Sequence, residues 1–297
     1  MKHLAFFVLL IVAGRTGLAQ QLNTSSFSEL TPVLHNPATT GSSRHAFLGS
    51  SFKTQWSSMP GKPQTALLYG QAFLASVKLG LGGYLYRDVT GPTARTGLQM
   101  AYAYHIPFNE GQSLSFGLEA RLQQLSFDRE KLQAELGGAD PVAMGLRNRL
   151  KADAGFGIAY TSPTLQAGAS VSQLVQTKYQ LYELIGNTAE QSKLYRHWYL
   201  HGAYTFRSDD ATKIIPNLLL IYLPNAPLEA QTSVKVEHNN LFFYSLGWRR
   251  NQGWMLSAGV KPTEKLTIGY AFDFYSSPVS LYESGSSGHE LMLQYQF

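Results

Sequence analysis

From about residue 46 to the end of the chain, apolar and polar positions alternate with a period of two, the pattern of strands that show one apolar and one polar face. At the C-terminus, Leu291, Leu293, Tyr295 and Phe297 share one parity, and Glu290, Gln294 and Gln296 share the other. Residues 265–274 repeat the pattern, with Leu266, Ile268, Tyr270, Phe272 and Phe274 opposing Thr267, Gly269, Ala271 and Asp273. Residues 254–261 and 242–249 do the same, and short polar turns such as Arg250-Asn251-Gln252-Gly253 and Pro262-Thr263-Glu264 join these segments as a meander requires. Further alternating segments lie at 46–56, 64–74, 77–87, 94–106, 112–125, 151–160, 165–172, 197–207, 213–223 and 228–238. With the last strand they predict about fourteen strands, an even number as single-chain bacterial barrels have. The second face is small and polar, which suits a wet lumen. The expected fold is therefore all-β, a transmembrane antiparallel β-barrel closed by the C-terminal strand through Leu291, Leu293, Tyr295 and Phe297 against the strand that starts near Ala46.

Two features interrupt the pattern. Pro216 removes a ladder donor from 213–223 and predicts an edge or a bulge there. Residues 128–148 and 175–195 lack alternation, have room for a loop helix over 129–136, and are the candidates for a partner-facing surface.

Composition narrows the class. Charged residues make up 14%, against about 25% in an average soluble domain. Aromatics are abundant, with Tyr 17, Phe 16 and Trp 4, and cysteine is absent, so no disulfide staples the fold. At the N-terminus Lys2 and His3 precede an apolar run from Leu4 to Ala13, and Gly17-Leu18-Ala19 precede a cut at Gln20. That is the architecture of a cleaved secretory leader over 1–19; the run is too short to span a bilayer, and without cysteine no lipid anchor follows. Loss of Lys2 and Arg15 takes the formal charge from +5 to +3 (5 − 2), which gives no reason to expect a nucleic-acid partner. No later window holds the roughly 18 apolar residues of a membrane helix. Export without a spanning helix favours a barrel in contact with outer-membrane lipid over a secreted β-sandwich.

Candidate chemistry is weak. His197 and His201 share strand parity and read as lumen-facing polar residues, and His289 stands beside the last strand, with no metal-ligand spacing around any of them. Asp209-Asp210 belong to a turn. Gly80-Leu81-Gly82-Gly83 and Gly155-Phe156-Gly157 fall inside strand-like alternation, not between a strand and a helix, so they do not form a phosphate loop. Nothing marks Ser115 or Ser257 as an activated nucleophile. The expectation is a non-enzymatic protein with no catalytic residue, no metal and no cofactor.

The start of the expected mature chain carries a more specific signal. Phe27-Ser28, Asn36-Pro37-Ala38 and Gly41-Ser42 are followed by Gln55-Trp56 and by Gly61-Lys62-Pro63-Gln64-Thr65; Asp88-Val89-Thr90-Gly91-Pro92, Ala139-Asp140-Pro141 and Gly288-His289-Glu290 come later. In order and spacing this series resembles the PorP/SprF family of Bacteroidetes outer-membrane proteins, across essentially the whole mature chain. Departures are His35 in place of an aromatic before Asn-Pro-Ala, Glu29-Leu30 after Phe27-Ser28, and Phe52-Lys53 in place of Tyr-Arg. The resemblance implies a component of the type IX secretion and gliding machinery that assists export or surface attachment of a cargo protein through the cargo's C-terminal sorting domain, with other secretion components as further partners. It also marks Phe27, Asn36, Pro37, Ala38, Gly41, Gln55, Trp56, Gly61, Pro63, Thr65, Gly288, His289 and Glu290 as structural or partner-binding positions. The alternative is a passive outer-membrane channel for small solutes.

Physically, Asn36-Pro37 enforces an extended approach. The expected division is a leader over 1–19, an N-terminal segment over 20–45 packed in or against the barrel, and the barrel over 46–297. Trp56 at a strand end suits an interfacial girdle, and Gly61-Lys62-Pro63 suits a turn.

Overall fold

A computed structural model describes residues 25–136, 149–176, 178–180, 191–193, 195–224, 226–276 and 287–297. The strands are β1 (Phe47–Thr54), β2 (Gln64–Leu74), β3 (Leu79–Thr90), β4 (Thr93–Asn109), β5 (Gln112–Phe127), β6 (Arg149–Thr161), β7 (Leu165–Ser172), β8 (Lys178–Gln180), β9 (Gln191–Lys193), β10 (His197–Tyr204), β11 (Phe206–Arg207), β12 (Thr212–Tyr222), β13 (Glu229–His238), β14 (Phe242–Arg249), β15 (Gly253–Val260), β16 (Leu266–Tyr275) and β17 (Ser287–Gln296). Neighbours pair antiparallel in chain order. β7 pairs β10, β10 pairs β12, and β17 pairs β1 with Phe47 opposite Gln296 and Thr54 opposite His289. The sheet closes into a fourteen-stranded ring, β11 extends the β12 side, and β8 and β9 form a separate two-stranded sheet.

Closure leaves the fourteen-stranded ring without a free edge, which is the condition for backbone to cross lipid. The outward parity carries the apolar side chains: Leu246, Trp254, Leu256, Tyr270, Leu291 and Leu293 are among the large hydrophobics left exposed. Exposed side chains of this kind in rows around a closed ring are a lipid-facing belt. Among the described residues no helix is long and apolar enough to cross a membrane; the strands do so.

Pro216 does not sit on an edge. It pairs Val234 of β13 normally, and on its other side the β10 ladder ends at Ala203–Asn217 and resumes only at Phe206–Ile214 in β11. The missing donor is accommodated by this gap, where the Thr205 amide donates instead to the Thr164 carbonyl (2.7 Å).

The helix α1 (Arg129–Leu136) follows Asp128, whose carboxylate accepts from the Lys131 amide at 3.1 Å, an N-cap bond. Connections at the rim holding the start of β1 and the end of β17 are short. The opposite rim bears the connections that include residues 128–148 and 173–196. Of the two stretches expected to meet a partner, 137–148, 177, 181–190 and 194 lie outside the described residues, as does the leader.

Candidate functional site: a plugged lumen

Inward positions of the strands are mostly small or polar, as the alternation predicted, with Tyr69, Tyr199, Leu219, Ile221, Phe243 and Met292 among the large exceptions, but the lumen holds more than solvent. Residues 25–45 run through it as two 3-10 turns, Pro32–Leu34 and Pro37–Thr39, joined by Asn36 in an extended conformation. Proline at the start of each turn fixes φ where an N–H would have had no partner.

The first part of this plug is held by charge. The Ser26 amide donates to Glu290 Oε2 (2.7 Å), Ser25 Oγ to Glu290 Oε1 (2.6 Å), and Ser26 Oγ to Asp273 Oδ1 (2.7 Å). Lys53 Nζ lies 2.9 Å from Asp273 and 3.7 Å from Glu290, and donates to Ser26 Oγ at 3.1 Å. Arg249 adds a contact to Asp273 (3.6 Å) and donates to Gln231 Oε1 (3.1 Å), and Gln231 donates in turn to Ser28 Oγ (2.9 Å). All five wall side chains are buried. Two carboxylates and two cations thus neutralise one another around the plug, the condition under which charges can be buried at all. Beside them Phe27 is fully buried among Phe243, Ala271 and Met292, its ring edge-on to Phe243 at 6.4 Å; burying such a ring stabilises the seat by about 1.5–3 kcal/mol.

The second part is held by shape and backbone. Asn36 is completely buried. Its Oδ1 accepts from the Ala38 amide (2.9 Å), capping the second turn, while Nδ2 donates to the Ile158 carbonyl (3.0 Å) and to His201 Nε2 (2.9 Å). Ala38 passes so close to Gly117 that a Cβ there would stand 2.2 Å from its nitrogen, and a Cβ on Gly80 would stand 1.9 Å from the Thr40 carbonyl oxygen. The Thr40 carbonyl accepts from His105 Nε2 (2.8 Å), whose Nδ1 is bonded to Ser115 Oγ (2.7 Å), and the Gly41 amide donates to Gln71 Oε1 (3.0 Å).

Under the first part the packing is incomplete. A cavity of about 30 Å³ is lined by residues including Ser28, Glu29, His35, His201 and Asn217. Both Glu29 carboxylate oxygens and His35 Nε2 are buried there without a hydrogen-bond partner among the described residues. Burial raises the Glu29 pKa against the pull of Lys235. Burial, helped by His201, Arg121 and Arg249, lowers that of His35 to about 3, so its ring is neutral and packs 5.6 Å from the Tyr199 ring.

Of the residues singled out in the sequence, Phe27, Asn36, Pro37, Ala38 and Gly41 all lie in the plug, and Glu290 meets it from β17. His289 has the opposite parity: it points outward and bonds the Tyr270 hydroxyl at 2.6 Å. Gly288 faces inward, beside Asp273 and the Tyr275 hydroxyl. The remaining group forms a separate cluster on the far rim. Gln55 donates to Tyr275 Oη (3.1 Å), Thr65 to Asp88 (2.9 Å), Gly61 accepts from the Gly91 amide (2.9 Å) in a left-handed turn, and the Gln55 amide donates to the Pro63 carbonyl. Trp56 is not a girdle residue: its φ of 51° turns the ring toward lumen-facing Tyr275, 6.5 Å away. His197 and His201 both face the lumen, with His201 serving Asn36. Lys53, Asp273, Gln231 and Arg249 were missed as site residues. Their only signal was charge or amide on an inward parity, which any wet lumen shares. Among the described residues no group of three or more His, Asp or Glu could hold a metal ion.

Comparison with known proteins agrees with this architecture. Among solved structures the chain is similar to a TodX deltaS2S3 mutant monoaromatic hydrocarbon channel (TM-score 0.54, 11% identity, 92% of this chain and 94% of that one). It is also similar to the CymD monoaromatic hydrocarbon channel (0.53, 12%, 95% and 95%) and to the Acinetobacter baumannii outer membrane protein Omp33 (0.50, 6%, 86% and 98%). At such identities the likeness is one of fold, that of outer-membrane barrels. No curated protein matches the sequence. The family described as type IX secretion system membrane protein PorP/SprF matches residues 17–295, nearly the whole chain. An outer-membrane barrel by its fold and its lipid-facing belt, the chain belongs to the PorP/SprF family of type IX secretion system membrane proteins.

Proposed function

We propose that this barrel assists export, or attachment at the cell surface, of a cargo protein recognised through its C-terminal sorting domain, and that it does so without catalysing a reaction. Family membership supports the secretion role. The observation that carries the manner of action is the plug: with residues 25–45 across the lumen, a folded cargo has no path through the barrel, and recognition falls to its ends. Barrels pair short periplasmic turns with longer outer loops. The rim with the 128–148 and 173–196 connections is then the outer one and the cargo-facing one, and the rim with short turns faces other secretion components. Residues 1–19 act in this reading as the cleaved leader, 20–45 as the plug segment and 46–297 as the barrel.

Deletion of the gene, followed by comparison of surface and secreted proteomes, tests the proposal. One or more proteins with a C-terminal sorting domain should leave the surface and return on complementation. An unchanged proteome would refute it. The second reading, a solute channel, draws on the hydrocarbon channels that share the fold. A permanently open pore is at odds with the seated plug.

A further inference from the structure

The two parts of the plug are attached in different ways. The Asn36–Gly41 part is locked by close backbone approach to Gly80 and Gly117 and by bonds to main-chain carbonyls. The Ser25–His35 part hangs mainly on charged and amide side chains, with an apolar seat for Phe27 and Leu30, the buried Val33, and one bond from Ser170 Oγ to the His35 carbonyl. Charged groups lose little on exposure to water, whereas bare glycine grooves offer nothing in place of their occupant. On the N-terminal side of Asn36, a cavity and the unpartnered Glu29 carboxylate and His35 Nε2 lie under the first part. Asn36 joins two separate 3-10 turns in an extended conformation.

We propose that residues 25–35 form a movable gate hinged at Asn36, whose withdrawal opens a conduit for small charged or strongly hydrophilic solutes along the β12–β17 and β1 side of the barrel. The solute class follows from the wall. Lys53, Lys235 and Arg249 face Asp273, Glu237 and Glu290 across that side, all of them buried while the gate is seated. Once wetted, such a wall attracts ions and polar solutes of either sign, and its six charged groups surround the small apolar patch of Phe243, Ala271 and Met292 that Phe27 leaves behind. The inference rests on the plug and not on the cargo reading, and either can fail alone.

The chain has no cysteine, so crosslinks can be placed cleanly. The test uses purified full-length protein in planar bilayers and in liposomes, with heat-modifiable gel mobility confirming a folded barrel. Lys53→Gln should raise the fraction of time spent conducting by about tenfold or more, and should admit arginine hydrochloride and arabinose in liposome swelling. An oxidised Phe27→Cys/Met292→Cys pair, which ties the gate to β17, should abolish conductance steps, and reduction should restore them. A Ser43→Cys/Gln71→Cys pair, which ties only the locked part, should leave the steps in place. Steps that survive the first crosslink, steps lost equally to the second, or a folded Lys53→Gln barrel that conducts no more often than wild type would each overturn the gate. Conductance without permeation by either solute would overturn the solute class.

Discussion

Replacing Asn36 with alanine isolates the contribution of one carboxamide to plug seating. The side chain makes three good hydrogen bonds, accepting from the Ala38 amide at 2.9 Å and donating to the Ile158 carbonyl at 3.0 Å and His201 Nε2 at 2.9 Å. Loss of the cap costs about 1 kcal/mol, and each lost bond to a neutral acceptor costs about 1 kcal/mol more. The sum, about 3 kcal/mol, shifts the seated-to-unseated ratio on the order of a hundredfold. Amide hydrogen exchange reads that ratio directly, because the Thr39 and Thr40 amides are bonded within the plug to the Asn36 and Pro37 carbonyls. Their exchange should accelerate by that factor while β15 and β16 amides stay protected. Asn36→Asp separates the two arms: it keeps the cap acceptor but sets a carboxylate oxygen against the Ile158 carbonyl, and should be worse than alanine. Unchanged exchange in Asn36→Ala, or a milder Asn36→Asp, would show that these bonds do not hold the plug.

Gly80→Ala should unseat the plug, since the new Cβ would stand 1.9 Å from the Thr40 carbonyl oxygen, whereas Gly202→Ala, with its nearest atom 3.9 Å away, should be silent; limited proteolysis of the 25–45 segment distinguishes the two. Glu29 has its pKa raised by burial, so the seated state binds its proton more tightly than the released state does; seating is strongest below the ordinary value of 4.5 and weakens as pH rises through the raised value. Glu29→Gln should flatten that dependence, as seen by exchange of plug amides across the pH range, with Lys235, Glu290, His35 and His201 the other titratable groups around it. A lysine at Leu256, on the lipid-facing belt, should destabilise the barrel by about 2–4 kcal/mol if it lies near the bilayer midplane; a lysine at the lumen-facing neighbour Ser257 should cost less, and urea unfolding in lipid vesicles measures both.

The barrel was legible because its rule is local. Alternation within ten residues tells which parity meets lipid, and it located all fourteen ring strands, including the closing pair of β17 and β1. Even the helix Arg129–Leu136 falls where the stretch without alternation left room for one; its Asp128 cap was not read. The plug was legible only as an oddity, an Asn-Pro segment that belongs to no strand. Its contacts were beyond reach for a physical reason: Ser26 meets Glu290 across 264 positions and Asn36 meets Ile158 across 122. No periodicity encodes which inward residue of a strand faces which turn of a segment threaded past it. His289 shows the other limit. It adjoins Glu290 in the family signature, yet parity sends the two to opposite faces, one to the Tyr270 hydroxyl outside and one to the plug inside. A sequence signature can therefore mark one strand for two tasks, sealing the wall against lipid and latching the segment within. In this chain β17 carries both, so a change that loosens the seam at His289 and one that frees the gate at Glu290 should be separable by readout, the first lowering barrel stability and the second leaving it while exposing the plug.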